Sequence, residues 1–138
     1  MIRLKTCALA LLVVAIGPTM TAAQSRPPLS EVAEIEDTLF VVALANEVGR
    51  KCETISGRWL KGYNTLFKLR GRANEMGYTD AEIRAYVESD TEKARMRAKG
   101  ESYLKSKGVV LDKPETFCAF GRAEIAKSSA IGALLKAR

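Results

Sequence analysis

The chain has 138 residues, of which 28% are charged and 47% hydrophobic, and its formal net charge is +6. These values are ordinary for one folded globular domain. They exclude a disordered chain, a collagen-like repeat and a protein with several membrane spans. The sequence contains no histidine, which excludes Ser-His catalysis, Cys-His catalysis and every metal site built on histidine.

Residues 1–23 have the order of a secretory signal peptide. Arg3 and Lys5 precede ten apolar residues, and small residues then lead to Ala23. A membrane span needs about 20 apolar residues, about twice the length of this run, so an anchoring first helix is the less favoured alternative. We expect cleavage after Ala23, a single helical domain over 24–138, and a periplasmic or secreted protein.

Cleavage changes the charge and the number of cysteines. Loss of Arg3 and Lys5 lowers the net charge from +6 to +4. Loss of Cys7 leaves Cys52 and Cys118, which are predicted to form one disulfide in an oxidising compartment. Two separate buried thiols are the alternative. The bridge would close a loop of about 66 residues and contribute about 4 kcal/mol to stability.

The first predicted helix spans about 31–56. Ser30 is its predicted N-cap, and acidic residues crowd the first turns, where the helix dipole stabilises negative charge. These acidic residues are Glu31, Glu34, Glu36 and Asp37. Apolar residues then recur at helical spacing as far as Ile55, and Ser56-Gly57 marks the predicted end.

The second predicted helix, about 58–76, carries the excess positive charge of the mature chain. It holds five basic residues against Glu75 alone, and Gly77 caps it. Four of the basic residues share an arc of about 80° and form the candidate binding face: Arg58, Lys61, Lys68 and Arg72. Such a face fits an acidic envelope protein, an anionic lipid surface or a cell-wall polymer. The favoured alternative is a solvated face, or one paired with the acidic residues of the first helix.

The same helix also has an apolar side. Trp59, Tyr63 and Phe67 are spaced i, i+4, i+8 and therefore form one stripe, which is predicted to pack in the core. Arg70 points with Tyr63 and Leu66 on the helical wheel. It must therefore form an ion pair, extend its stem along apolar surface, or line a cleft, and the first two are favoured over ligand contact.

The third predicted helix spans about 80–107. Thr79 and Glu82 match a capping box at its start, and Gly108 marks its end. Ser89-Asp90-Thr91 is able to restart a helix, so one long helix and two shorter ones both fit.

The fourth predicted helix spans about 114–136, and Pro114 suits its first position. Small residues along it, such as Gly121 and Gly132, predict close approach to a neighbouring helix, and an apolar ligand groove is the less favoured interpretation. No segment of useful length shows the alternation expected of a strand.

The two cysteines favour one topology. Cys52 lies near the end of the first predicted helix and Cys118 near the start of the fourth, and these ends meet at one pole of an up-down-up-down arrangement. The predicted fold class is therefore all-α: an antiparallel four-helix bundle, stapled by the disulfide, after a cleaved signal peptide.

The sequence offers little for catalysis. Ser102 and Lys105 match the S-x-x-K pattern of Ser-Lys hydrolases, but the K-T-G motif that accompanies it in those enzymes is absent. Glu88, Asp90 and Glu92 match no calcium-binding loop. We therefore predict no enzyme, no catalytic residue, no metal and no cofactor. Nucleic acid is excluded as a partner because a charge of +4 is modest and the chain is exported.

Several short features resemble the small secreted bacterial helical proteins of families of unknown function. They are the signal peptide, the acidic first helix, and the segments Lys51-Cys52-Glu53, Arg58-Trp59-Leu60 and Phe117-Cys118. The resemblance implies export and a two-cysteine helical domain, and it carries over no catalytic residue. The leading hypothesis, motivated by the excess charge on one helix, is a non-enzymatic binding or accessory protein of the bacterial cell envelope. A carrier of a small apolar ligand and a small envelope hydrolase are the alternatives.

Overall fold

The computed structural model describes residues 25–138, so the predicted signal peptide lies outside the described residues. Within them the chain forms five α-helices and one two-stranded sheet, where four helices and no strand were predicted. In chain order the elements are α1 (Ala33–Lys51), β1 (Ile55–Gly57), α2 (Trp59–Glu75), α3 (Asp80–Glu88), α4 (Asp90–Ser106), α5 (Pro114–Ala126) and β2 (Leu135–Ala137). Single-turn 3-10 helices occupy Leu29–Glu31 and Gly132–Leu134.

The predicted third helix is two helices that meet at Ser89. At the start of α3, the Thr79 hydroxyl accepts a hydrogen bond from the Glu82 N–H, and the Glu82 carboxylate accepts one from the Thr79 N–H. At the start of α4, the Ser89 hydroxyl accepts a hydrogen bond from the Glu92 N–H. The capping box is therefore confirmed, and a second local cap interrupts what would otherwise be one helix.

The C-terminal segment differs most from its prediction. α5 ends at Ala126 rather than at 136, and Ser128 then adopts the left-handed region with φ of 51°, which turns the chain. β2 pairs antiparallel with β1, with Ile55 opposite Ala137. Strands of three residues are too short for an alternating pattern to be recognised in the sequence.

The helix ends were predicted unevenly. Ser30 is not an N-cap, because it lies in a 3-10 turn and α1 begins after Val32, which supplies no side-chain cap. Gly77 and Gly108 follow α2 and α4 with φ of 94° and 83°, the left-handed conformation in which glycine readily ends a helix. Pro114 is the first residue of α5, as predicted.

The main core lies where α1, α5 and the sheet meet. Val48, Ile55 and Phe117 are almost fully buried there. Cys52 and Cys118 form the predicted disulfide, with their Cα atoms 5.1 Å apart. The bridge therefore ties the C-terminal end of α1 to the first turns of α5.

Two glycines mark close approaches around α5. A Cβ on Gly121 would lie 2.7 Å from Ile55 Cδ1 and 2.8 Å from Val48 Cγ1. A Cβ on Gly132 would lie 2.0 Å from the backbone oxygen of Glu124. The predicted close approach is therefore found, although Gly132 lies in the 3-10 turn that follows α5.

A smaller core holds the C-terminal half of α2. Its buried members are Leu29, Ile35, Leu69, Ala73 and Tyr78. Leu69 and Ala73 are the only buried residues of α2. The N-terminal half of this helix therefore lies on the surface of the molecule with no fully buried side chain of its own.

Candidate functional site

Five large apolar side chains of α2 are exposed to solvent, and we call them the α2 aromatic face: Trp59, Leu60, Tyr63, Leu66 and Phe67. The exposed fractions are 79% for Trp59, 63% for Tyr63 and 64% for Phe67. Across residues 25–138, only two other large apolar side chains are exposed, Val87 and Val110. The prediction that the aromatic stripe packs in the core is therefore wrong.

The helical wheel explains how the stripe was misplaced. At 100° per residue the α2 aromatic face spans about 120°, whereas Leu69 and Ala73 occupy a narrow arc beside it. The helix packs on the molecule by this narrow arc, which leaves the wider apolar arc in water. Periodicity alone identifies an apolar arc without showing which part of it a neighbour covers.

The four residues of the candidate binding face are all exposed. Arg72 donates to Glu34 at 3.1 Å, and its Nη1 lies 3.1 Å from Glu75, so one member is paired with the first helix, as the alternative interpretation expected. Within residues 25–138, the remaining three form no ion pair, and we call them the free α2 cations: Lys61 and Lys68 in α2, and Arg58 immediately before it. Lys61 and Lys68 lie on the side of α2 opposite the aromatic face.

Arg70 forms an ion pair with Asp80 at the surface, which is one of the two favoured interpretations. Its Nε and Nη2 lie 2.9 Å and 2.5 Å from the two carboxylate oxygens of Asp80, which joins the end of α2 to the start of α3. Hydrogen bonds from Arg70 and Asn74 lower the pKa of Asp80 to about 2. Arg70 falls in the same arc as Tyr63, and an arginine in an apolar arc is a sequence signal that this arc meets water.

A second charged cluster lies away from α2 and was not predicted. Glu36 is only 6% exposed, and its carboxylate joins α1 to α3 and α4. It accepts hydrogen bonds from both Arg95 Nη atoms at 2.9 Å, from the Tyr86 hydroxyl at 2.9 Å and from Lys99 Nζ at 3.1 Å. The Arg95 hydrogen bonds contribute most to lowering the pKa of Glu36 to about 2, against the opposing effect of burial. No buried side-chain nitrogen or oxygen in the described part of the chain lacks a hydrogen-bond partner, so we assign this cluster a structural role.

The remaining sequence candidates are not assembled into a reaction centre. Ser102 and Lys105 are both exposed, and within the described residues no hydrogen bond joins them. In the same part of the chain, no three His, Cys, Asp or Glu side chains come together in a way that could hold a metal ion. None of the helices over 25–138 combines the length and the apolar character needed to cross a membrane.

The α2 aromatic face is therefore the candidate functional site. Exposed apolar patches of this kind are typical of interaction surfaces, because leaving such side chains in water is costly. Trp and Tyr add a polar edge to an apolar body, which suits them to a boundary between water and an apolar phase.

Comparison with known proteins identifies a family for this chain but assigns it no activity. No curated protein and no solved structure matches the chain. The model of a family of unknown function, DUF5333, matches residues 27–136, which include both cysteines of the disulfide, the whole of α2 and all of the sheet except Ala137. The chain belongs to the DUF5333 family of unknown function.

Proposed function

We propose that this chain is an exported, non-enzymatic binding protein of the bacterial cell envelope that docks on an anionic lipid surface through α2. Export rests on the signal-peptide pattern of residues 1–23 and on the disulfide, which is typical of oxidising compartments. Docking rests on the exposed α2 aromatic face, which is the single observation that carries the proposal.

The composition of α2 is that of an interfacial helix. Helices that lie in the plane of a membrane present Trp, Phe and Leu to the acyl chains and Lys and Arg to the headgroups, with the apolar face about 5–10 Å deep. In α2 the aromatic face supplies the first set, and the free α2 cations lie on or near the other side. With the aromatic side chains in the acyl boundary, Lys61 and Lys68 would reach the level of the lipid phosphates.

Charge favours a lipid surface over a second copy of the chain. The segment 58–76 has a net charge of +4, so two copies that met through α2 would bring like charges together. An anionic bilayer instead attracts the same residues, by about 1 kcal/mol for each Lys or Arg near its surface. An acidic protein or a cell-wall polymer would use the cations but leave the aromatic face without an apolar phase.

Replacing the aromatic stripe should abolish docking. We expect Trp59→Ser, Tyr63→Ser, Phe67→Ser, made together, to reduce binding to vesicles of phosphatidylglycerol and phosphatidylethanolamine by at least about tenfold, because the apolar area that enters the acyl boundary is lost. Co-sedimentation with vesicles measures the bound fraction. Val110→Ser is the matched control, since Val110 is exposed and apolar but lies outside α2. Equal binding by the triple variant and the control would overturn the proposal.

Reversing the free α2 cations tests the electrostatic half of the proposal. Arg58→Glu, Lys61→Glu, Lys68→Glu should weaken binding to anionic vesicles by about a hundredfold, since three attractive charges are removed. The control variant Lys105→Glu, Lys113→Glu, Lys136→Glu makes the same change of net charge at exposed lysines outside α2. It should retain most of the binding. Equal losses in both variants would mean that net charge alone, and not α2, attracts the protein.

A further inference from the structure

A second apolar surface lies on another part of the molecule, in an open groove between α1 and α4. Its volume is about 560 Å³, which is within the range of about 300–1,000 Å³ typical of small-molecule sites. Its floor is apolar and is formed by Phe40, Leu44, Met96, Leu104 and Phe117. Its α1 wall runs from Leu39 to Lys51, a length of about 18 Å at 1.5 Å per residue. The floor residues of α4, from Met96 to Leu104, extend over about 12 Å, so an extended acyl chain fits along them.

Gly100 keeps this groove open at its centre. A Cβ on Gly100 would lie 3.7 Å from Leu44 Cδ2, which is an ordinary van der Waals distance. Its φ is not positive. Neither crowding nor backbone conformation therefore requires glycine here, in contrast to Gly121 and Gly132. A helix is less stable with glycine in its interior than with alanine. At position 100, the missing side chain leaves space in the groove.

The rim of the groove carries charges of both signs, and more of its cations than of its carboxylates lack an ion-pair partner. Glu47 and Glu92 on the rim are held by Arg50 at 3.6 Å and by Arg95 at 2.8 Å. Lys93 lies 3.6 Å from Asp90. Within residues 25–138, Lys51, Arg97 and Glu101 on the rim form no ion pair, which leaves two cations against one carboxylate. An anionic headgroup is therefore favoured at the rim above the apolar floor.

We infer that this groove binds one single-chain anionic amphiphile, such as a fatty acid, with its chain along the floor and its carboxylate at the rim, where Lys51 and Arg97 form no ion pair within the described residues. This binding is separate from the docking of α2, because the groove contains no residue of that helix. The protein would thus have two lipid-directed surfaces, one for a bilayer and one for a single chain.

The inference is tested by calorimetric titration of the purified full-length protein with dodecanoate below its critical micelle concentration. We expect binding of one dodecanoate per chain. Gly100→Leu should weaken it by at least about tenfold, because the new side chain fills the groove. Gly100→Ala should weaken it less without lowering the melting temperature, so an effect of unfolding is separated from an effect of filling. Lys51→Glu with Arg97→Glu should weaken dodecanoate binding but not the binding of dodecyltrimethylammonium, which has the same chain and the opposite charge.

The outcomes distinguish this inference from the proposed function. We expect Gly100→Leu to bind anionic vesicles as the natural chain does, and the Trp59, Tyr63, Phe67 triple variant to bind dodecanoate as the natural chain does. No dodecanoate binding, or binding that both Gly100 variants leave unchanged, would overturn the inference and leave vesicle docking intact. Loss of dodecanoate binding in the α2 triple variant alone would show that the chain binds at α2 and not in the groove.

Discussion

Replacing Cys52 and Cys118 by serine should lower the free energy of unfolding by about 4 kcal/mol. The bridge joins residues 66 positions apart, and closing a loop of this length removes that much conformational free energy from the unfolded chain. Small domains are typically stable by about 5–15 kcal/mol in total, so the loss would be a large share. The bridge also joins α1 to α5 in the main core, where Cys52 is almost fully buried.

Urea denaturation followed by circular dichroism measures this loss. The natural chain should lose a similar amount of stability when it is unfolded in the presence of dithiothreitol, whereas the double serine variant should not respond to the reductant. A loss below about 1 kcal/mol would contradict a stabilising bridge, since the loop-closure effect is several times larger.

The second large effect is expected at Glu36. Glu36→Gln should destabilise the fold by about 2–3 kcal/mol at pH 7, because Arg95 and Lys99 would lose the carboxylate that they share in a buried position. Glu34→Gln is the matched control on the same helix. Glu34 pairs with Arg72 at the exposed surface, where an ion pair contributes about 0–1 kcal/mol.

The same carboxylate gives a pH dependence of known sign. The folded pKa of Glu36 is about 2, below the ordinary value of 4.5, so its stabilisation is fully present above pH 4.5 and is lost as the pH falls toward 2. Urea midpoints at pH 7, 5, 4 and 3 should therefore converge for the natural chain and Glu36→Gln as the pH falls. The lowered pKa values of Asp80 and Glu124 affect both proteins alike. A difference between the two proteins that stays constant from pH 7 to pH 3 would contradict this assignment.

Local signals in the sequence identified much of the fold. Thr79 and Gly77 mark helix ends because their effects depend on the few residues around them. The disulfide was predicted because two cysteines remain when the predicted signal peptide is left out of the count. The sheet was not predicted because β1 and β2 have only three residues each. They are also far apart in the sequence, so no local pattern indicates that they pair. The early end of α5 depends on Ser128, a residue type for which a positive φ is uncommon.

The candidate site was predicted in part. Arg58, Lys61 and Lys68 are exposed, as both a binding face and a solvated face require. Trp59 and its neighbours were assigned to the core because apolar residues are usually buried. Which arc of α2 is covered depends on Leu69 and Ala73 meeting residues near Leu29 and Ile35. These contacts arise from tertiary packing and cannot be seen in the spacing of residues along α2.

The emission of Trp59 in the presence of vesicles tests lipid docking most directly, because Trp59 is the one tryptophan in the sequence and is 79% exposed. On addition of phosphatidylglycerol vesicles we expect the emission to shift to shorter wavelength, and bromine atoms on the acyl chains to quench it, because the indole enters the acyl boundary. Phosphatidylcholine vesicles should cause a much smaller change. Emission that keeps its wavelength and escapes quenching by brominated anionic lipid would contradict docking through α2.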